Sequence, residues 1–281
     1  PDGDWSSDVC SSDLWQDVSY WPESSRSRAK ITTAIKRQED PLEKKGVIGA
    51  FCRTFSISEA IDEFLDEIYT AGADDTRYTF TDGSTTGGVV VYEDKFSFSH
   101  HGTDPTSGIL CNAFDLVRIH KFGHLDDDVK EDTPVNRLPS FTHMTEFASG
   151  NDKVMQTLGR ERMEKSQEDF GVVETDEKIN TEWLQELTYN SQGKLKSTIS
   201  NFLVTIENEP LLKSKIAYNE FSNRAVVINK LPWRNKDNKQ DWSDIDDSGL
   251  REFIEKYYGI ASPAKCADAL ALSFENHSFH P

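Results

Sequence analysis

The chain has 281 residues and a strong acidic excess, with 49 Asp and Glu against 31 Lys and Arg and a formal net charge of −18. This balance disfavours general binding to nucleic acid, so any DNA contact must come from a local basic patch. Apolar residues make up only 36%, yet 30 Phe, Trp and Tyr residues argue for folded cores. No apolar window approaches the ~18 residues of a membrane span and no secretory signal is visible, so we expect a cytoplasmic protein.

The first fourteen residues look foreign to the rest of the chain. Residues 4–14 read DWSSDVCSSDL, with neither a helical nor a strand period. Back-translated, this stretch resembles a common sequencing-adapter oligonucleotide. We therefore interpret residues 1–14 as an adapter-derived scar, exclude them from fold prediction and expect the natural protein to continue upstream.

Residues 15–46 form a polar segment that contains the clearly basic run of the chain. We predict a linker with a short helix. Its basic side chains are the best candidates for a DNA-contacting arm, namely Arg26, Arg28, Lys36 and Arg37. A solvated linker without a ligand is the alternative.

Residues 47–124 predict a compact α/β domain. Ser56 and Glu59 fit a capping box, and the apolar spacing that follows predicts a helix ending near Gly72. Alternating residues then predict strands at 77–81, 88–92 and 95–99, arranged as an antiparallel meander.

Asn112 is expected to cap a second helix of this domain, which continues to residue 122. On that helix Arg118, His120 and Lys121 form a second candidate DNA patch. An exposed helix face without a partner explains Arg118 and Lys121 equally well.

The remaining residues predict a connector and a third unit. Residues 125–194 are acidic and punctuated by proline, with a polar helix over 142–169 that breaks near Gly150. Residues 195–281 predict helices around a hairpin at 217–228, with helix starts at Ser248 and Ser262. The expected fold class is α+β: a small antiparallel sheet with flanking helices, then a mostly helical, winged-helix-like C-terminal module.

The densest polar motif lies between residues 99 and 115, and its role is open. Its chemistry-bearing members are His100, His101, Asp104, Asn112 and Asp115. The histidines and Cys111 could ligate zinc, with Cys52 as a distant fourth ligand, but paired ligands at knuckle spacing are missing. A turn begun by Asp104 is the simpler interpretation. We therefore predict no metal and no cofactor in this chain.

Catalytic motifs are absent from the sequence. It contains no GxxxxGK[ST], GxGxxG, HExxH or GxSxG. A nucleotidyl transferase would need at least two acidic metal ligands set by the sheet. Glu93, Asp94 and Asp104 are the nearby acids, but the first two are predicted to form a turn.

Several blocks of the sequence together resemble the virulence-associated protein E family of phage and mobile-element replication proteins. The blocks are residues 44–61, 87–105, 112–123, 138–148 and 218–281. The resemblance implies a region between a primase-polymerase domain and a P-loop ATPase, so that ATP and Mg²⁺ are expected only for the ATPase domain beyond residue 281. It carries over no catalytic residue, because none of those motifs is present.

Our leading hypothesis from the sequence is a non-catalytic, DNA-associated middle region of a primase-helicase. The expected partners are DNA, bound weakly and with strong salt dependence, other domains of the same polypeptide and other copies in a homo-oligomer, but no membrane. One alternative is a protein-interaction scaffold for assembly of an ATPase ring. Another is a fragment of a primase or nucleotidyl transferase.

Overall fold

The computed structural model describes most of the chain from residue 25 onward. The described residues are 25–72, 74, 76–130, 132–170, 180–190, 192–234 and 241–280, with the backbone alone for 25–28. The adapter-derived segment predicted for residues 1–14 lies outside them. The chain divides into two compact units, the first ending at Ala148 and the second beginning at Ser149. No helix among the described residues is long and apolar enough to cross a membrane.

The first unit is α+β, as the sequence predicts. Its helices are α1 (Ser25–Gln38), α2 (Gly46–Thr54), α3 (Ile57–Phe64), α4 (Ala113–Phe122) and α5 (Pro139–Ser149). Its strands are β1 (Tyr69–Ala71), β2 (Arg77–Phe80), β3 (Val89–Tyr92), β4 (Phe96–Ser99) and β5 (Leu110–Cys111). Short 3-10 turns lie at Pro41–Glu43, Gly123–Asp126 and Val135–Arg137.

The five strands form an antiparallel meander in chain order, which extends the predicted three-strand sheet by one strand at each edge. The capping box at Ser56 and Glu59 is present, but α3 ends at Phe64 rather than near Gly72. The residues beyond it turn and enter β1, where Tyr69 pairs with Phe80. Pairing with a neighbouring strand therefore overrides the helical spacing of this segment.

One face of the sheet packs on α2, α3 and α4 to form the core of the first unit. Phe51 and Phe114 are fully buried there, with ring centroids 5.9 Å apart at 87°. Phe64 connects this cluster to Phe147 of α5 at 5.4 Å. The predicted separate connector is therefore wrong at its start, because α5 belongs to the core of the first unit.

The second unit is mostly helical. Its helices are α6 (Asp152–Phe170), α7 (Ile199–Asn208), α8 (Asp244–Tyr258) and α9 (Pro263–Asn276), with a 3-10 turn at Glu182–Glu186. A small mixed sheet joins the hairpin strands β6 (Ile216–Asn219) and β7 (Arg224–Val227) to β8 (Ser278–Phe279), which runs parallel to β6. Helices surround a hairpin as predicted, but α8 begins at Asp244 rather than Ser248, because Ser243 and Asp246 form its capping box.

A buried carboxylate lies in the core of the second unit. Glu209 is fully buried and accepts hydrogen bonds from Ser166 Oγ at 2.9 Å and from Tyr258 Oη. Burial raises the pKa of Glu209, although both donors oppose this shift. The group therefore joins α6 and α8 to the end of α7.

Candidate nucleic-acid interface

The five-stranded sheet presents two chemically different faces. In β4 the side chains alternate, so that Phe96 and Phe98 lie on one face while Ser97 and Ser99 lie on the other. Phe98 pairs across the sheet with Val90 and Leu110, which therefore share its face. Ser97 pairs with Cys111, which is fully buried on the side of α4. The aromatic face is the outer one.

Helix α1 covers part of this outer face. Ile31 is 5% exposed and packs with Phe96 and Leu110, while Ala34 and Ile35 border the same cluster. Gln38 Nε2 donates to the carbonyl of Leu110 at 2.6 Å and so attaches the end of α1 to β5. The predicted basic linker is therefore a helix docked on the sheet.

A groove remains open between α1 and the sheet. It has a volume of about 420 Å³ and is lined by Lys30, Ile31, Ala34, Phe98, His100, Gly108 and Leu110. The rings of Phe98 and His100 meet with centroids 4.9 Å apart at 64°. His100 and Lys30 are exposed and Phe98 is half-buried. The groove thus has an apolar floor, an aromatic wall and a cationic rim.

Helix α1 is strongly cationic. Its sequence SRSRAKITTAIKRQ carries five basic residues and no acidic one. Arg26, Lys30 and Arg37 follow at intervals of four and seven residues, which places these positions along the flank that borders the groove. Arg28 and Lys36, which are eight residues apart, lie outside this flank on the other side of the helix. The four basic residues predicted to contact DNA are therefore divided between two sides of one helix.

The acidic residue Asp40 follows α1 closely without opposing its charge. Lys95 Nζ lies 2.6 Å from Asp40 Oδ2. The hydrogen bond from Lys95 and a second one from the Leu42 N–H lower the pKa of Asp40. This pair is locally neutral, so Asp40 itself does not offset the charge of α1.

The second predicted DNA patch is divided by the structure. Lys121 is exposed, with its Nζ 5.6 Å from the ring centre of Phe147. Arg118 is buried, so its expected exposed position is wrong. Its Nε donates to Asp115 Oδ1 at 3.1 Å and its Nη1 donates to Ser140 Oγ at 2.8 Å, and these partners compensate the buried guanidinium.

His101 lies on the core face, directly after exposed His100. It is 3% exposed, and the turn between β2 and β3 closes around its ring. A Cβ at Gly88 would lie 2.6 Å from His101 Nε2, and one at Gly83 would lie 2.7 Å from Nδ1. The Phe80 N–H points at Nε2 from 3.4 Å, and Thr85 Oγ1 lies 3.0 Å from Nδ1. Burial, the largest cause, lowers the pKa of His101.

Asp104 is the centre of a second enclosed network on the core face. Its Oδ2 accepts from Tyr69 Oη at 2.9 Å, and its Oδ1 accepts from the Thr106 N–H and Oγ1, both at 2.7 Å. His120 Nε2 lies 2.6 Å from Tyr69 Oη and 3.4 Å from Asp104 Oδ1. Burial alone would raise the pKa of Asp104, but donors from His120, Ser99 and Thr106 outweigh it and hold that pKa well below its usual range.

Asn112 and Asp115 have an evident local role. Asn112 is the N-cap of α4, and its Oδ1 accepts from the Asp115 N–H at 2.9 Å. Its Nδ2 donates to Asp115 Oδ2 at 3.0 Å, and Cys52 Sγ approaches its Oδ1 at 3.7 Å. Both motif residues are therefore used to begin α4, as the sequence predicts for Asn112.

The alternative zinc and transferase sites are not assembled in the described residues. His100 and His101 diverge to opposite faces, and no group of three or more His, Cys, Asp or Glu there is placed to hold a metal ion. Glu93 and Asp94 form the β3–β4 turn, both with φ of 53°. Asp94 accepts from Ser58 Oγ at 2.7 Å, so its carboxylate holds the start of α3.

Sequence reasoning missed residues on both faces of the sheet. Phe98 was visible only as an alternating strand residue, and nothing local marked it as the wall of a groove. Lys30 belonged to the basic run, but its position beside the groove depends on how α1 docks. Tyr69 and His120 join Asp104 from 35 and 16 positions away, which no local pattern indicates. The predicted place of His120 in the second DNA patch is wrong, because its ring is enclosed by this network.

No family model matches the chain, and no curated protein matches it.

Proposed function

We propose that the first unit is a non-catalytic module that contacts the phosphates of DNA through the groove-side flank of α1. This function agrees with the resemblance of several sequence blocks to the virulence-associated protein E family, and with a place in the DNA-associated region of such a replication protein. The cationic flank is defined by Arg26, Lys30 and Arg37.

One observation carries this proposal: a chain of net charge −18 places five basic residues and no acidic one in a single helix. Lys30 and Arg37 are exposed, and the helix is docked on the sheet rather than free. Phosphate contacts by exposed Lys and Arg supply the sequence-independent part of DNA binding. The acidic remainder of the chain would repel DNA and confine the contact to this patch.

The polar motif of the sequence supports a non-catalytic role. Asp104 is enclosed by its donors, His101 by two glycines and Asn112 by the first turn of α4. A general acid or base must reach its substrate within hydrogen-bond distance, and these side chains are buried. Their chemistry stabilises the fold that presents α1.

The test is fluorescence anisotropy with labelled DNA over a range of salt concentrations. The double variant Lys30→Gln/Arg37→Gln should weaken binding. It should also reduce the slope of log K against log salt by roughly 0.7 for each single-strand phosphate that is no longer neutralised. The matched control is Lys36→Gln, which removes a charge from the opposite flank of the same helix.

Two results would contradict the proposal. One is the absence of binding by the wild-type chain even at low salt. The other is an equal decrease of affinity in Lys36→Gln and in each single variant Lys30→Gln and Arg37→Gln, because net charge rather than the flank would then determine binding.

A further inference from the structure

We propose that the groove between α1 and β4 accepts one unpaired base of single-stranded DNA, held against the rings of Phe98 and His100. This inference rests on the proposed function and adds a preference for single strands to it. The groove lies directly beside the cationic flank, because Lys30 belongs to both.

The first argument is the aromatic wall. Phe98 and His100 lie at the end of β4, two residues apart on the outer face, and their rings already pack at an angle of 64°. His100 is exposed and Phe98 is half-buried, so part of each side chain is accessible to solvent. Every base has an apolar face that stacks on such rings, and this contact is worth about tenfold in affinity per base.

The second argument is the size and chemistry of the groove. About 420 Å³ is within the range of small-ligand pockets and leaves room for one nucleotide base. Its floor is formed by Ile31, Ala34 and Leu110, which offer apolar contact without reading base identity. Such a site stacks any base, so the expected sequence preference is small.

The third argument is charge complementarity between the rim and a nucleotide. Lys30 stands at the edge of the groove, and Arg37 lies two turns further along the same flank of α1. A strand whose phosphates follow this flank can turn one base into the groove. In a duplex the bases remain stacked on each other, so a base face cannot enter the groove without unpairing.

The experiment compares three labelled probes of equal length: a single-stranded oligothymidylate, the same backbone without bases and a duplex. Each probe is measured with the wild type and with two groove variants, His100→Ala and Phe98→Leu. In the second variant, leucine keeps the apolar packing under α1. The matched control is His124→Ala, which removes an exposed histidine of the first unit that does not line the groove.

We expect His100→Ala and Phe98→Leu each to weaken oligothymidylate binding by about tenfold. Binding of the abasic strand and of the duplex should be unchanged, and His124→Ala should bind all three probes as the wild type does. A fluorescent base analogue in the single strand should lose its quenching in both groove variants. Thermal unfolding checks that Phe98→Leu is folded, and exposed His100 provides an independent variant.

Different failures are distinguishable. If the wild type binds the abasic strand as tightly as oligothymidylate, the base site is wrong while the phosphate contact of α1 stands. If the groove variants weaken all three probes equally, or if an apolar peptide competes for the groove better than oligothymidylate, the base site is likewise wrong. If no probe binds at low salt, both the base site and the proposed function fall.

Discussion

The two neighbouring histidines of the first unit lie on opposite faces of its sheet and have opposite surroundings. His101 is enclosed by Gly83, Gly88 and Thr85, whereas His100 is exposed beside Phe98 at the edge of a groove. One residue step along an extended chain reverses the side to which a side chain points. Two adjacent residues therefore serve the stability of the fold on one face and offer a binding surface on the other.

This contrast shows that polar residues close together in the sequence can have different roles in the fold. Asp104 is buried and satisfied by hydrogen bonds from its neighbours, so its replacement should lower stability without removing a group that a ligand could contact. His100 and Phe98 at the groove are more exposed, so their replacement should affect binding with a smaller effect on unfolding. Four sets of substitutions test this difference between the two faces of the sheet, and their expected effects on stability decrease from the first to the last.

The largest expected effect is that of Asp104→Ala. Removal of the carboxylate leaves Tyr69, Thr106 and His120 without their common acceptor in a buried site, which should lower the free energy of unfolding by roughly 3–5 kcal/mol. Urea denaturation of the variant measures this decrease. Asp82→Ala, in the exposed β2–β3 turn, should leave the midpoint nearly unchanged. Equal stability of the two variants would contradict the enclosed network.

The next effect is that of Gly88→Ala. The added methyl would lie 2.6 Å from His101 Nε2, so the ring or the turn must move, at a cost of roughly 1–3 kcal/mol. Gly102→Ala is the control, because a Cβ there meets nothing within 4 Å. Thermal unfolding of the pair should separate them clearly. If Gly102→Ala proved the more harmful substitution, the tight niche of His101 would be wrong.

A smaller effect is the pH dependence that His101 contributes. Burial lowers its pKa in the folded state, Asp104 opposes this shift and His100 adds to it. Below about pH 6.5 the unfolded chain therefore binds the proton more readily, and stability should fall by at most about 1.4 kcal/mol per pH unit. Urea midpoints between pH 7.5 and 5.5 should fall more steeply for wild type than for His101→Gln. Parallel curves would show that His101 titrates normally.

The smallest expected effect on stability is that of His100→Ala. Since the side chain is exposed, its removal should change the free energy of unfolding by no more than about 0.5 kcal/mol. His101→Ala, one residue further on, should cost several times as much. Differential scanning calorimetry of both variants gives the sharpest form of the comparison. Similar decreases in the stability of His100→Ala and His101→Ala would mean that the two side chains contribute equally to folding, which would contradict the difference between the faces.

Local signals were sufficient for much of the fold. The Ser56–Glu59 capping box, the Asn112 cap and the alternation of β2, β3 and β4 all depend on residues within a few positions of each other. The sequence therefore located these helix starts and strands. It also placed Glu93 and Asp94 in a turn, as their positive φ values confirm.

Long-range partners explain what the sequence could not predict. The Nη1 of Arg118 donates to Ser140, which lies 22 positions later in the chain, and this hydrogen bond compensates the buried guanidinium. Helical spacing alone did not indicate that Arg118 is buried. The residues of β1 continue the helical spacing of α3, and their pairing with Phe80 is invisible locally. The groove could not be predicted, since it exists only where α1 docks beside Phe98.

The turn at Asp94 has a consequence for the order in which the chain acquires its structure. Asp94 accepts from both the N–H and the Oγ of Ser58, 36 positions earlier, while its carbonyl accepts from the Ile57 N–H at 3.0 Å. A helix of eight residues such as α3 is marginal alone. Its first turn is completed by a hairpin that leaves the ribosome after α3 does. During synthesis, α3 should therefore remain unformed until β3 and β4 have emerged and paired.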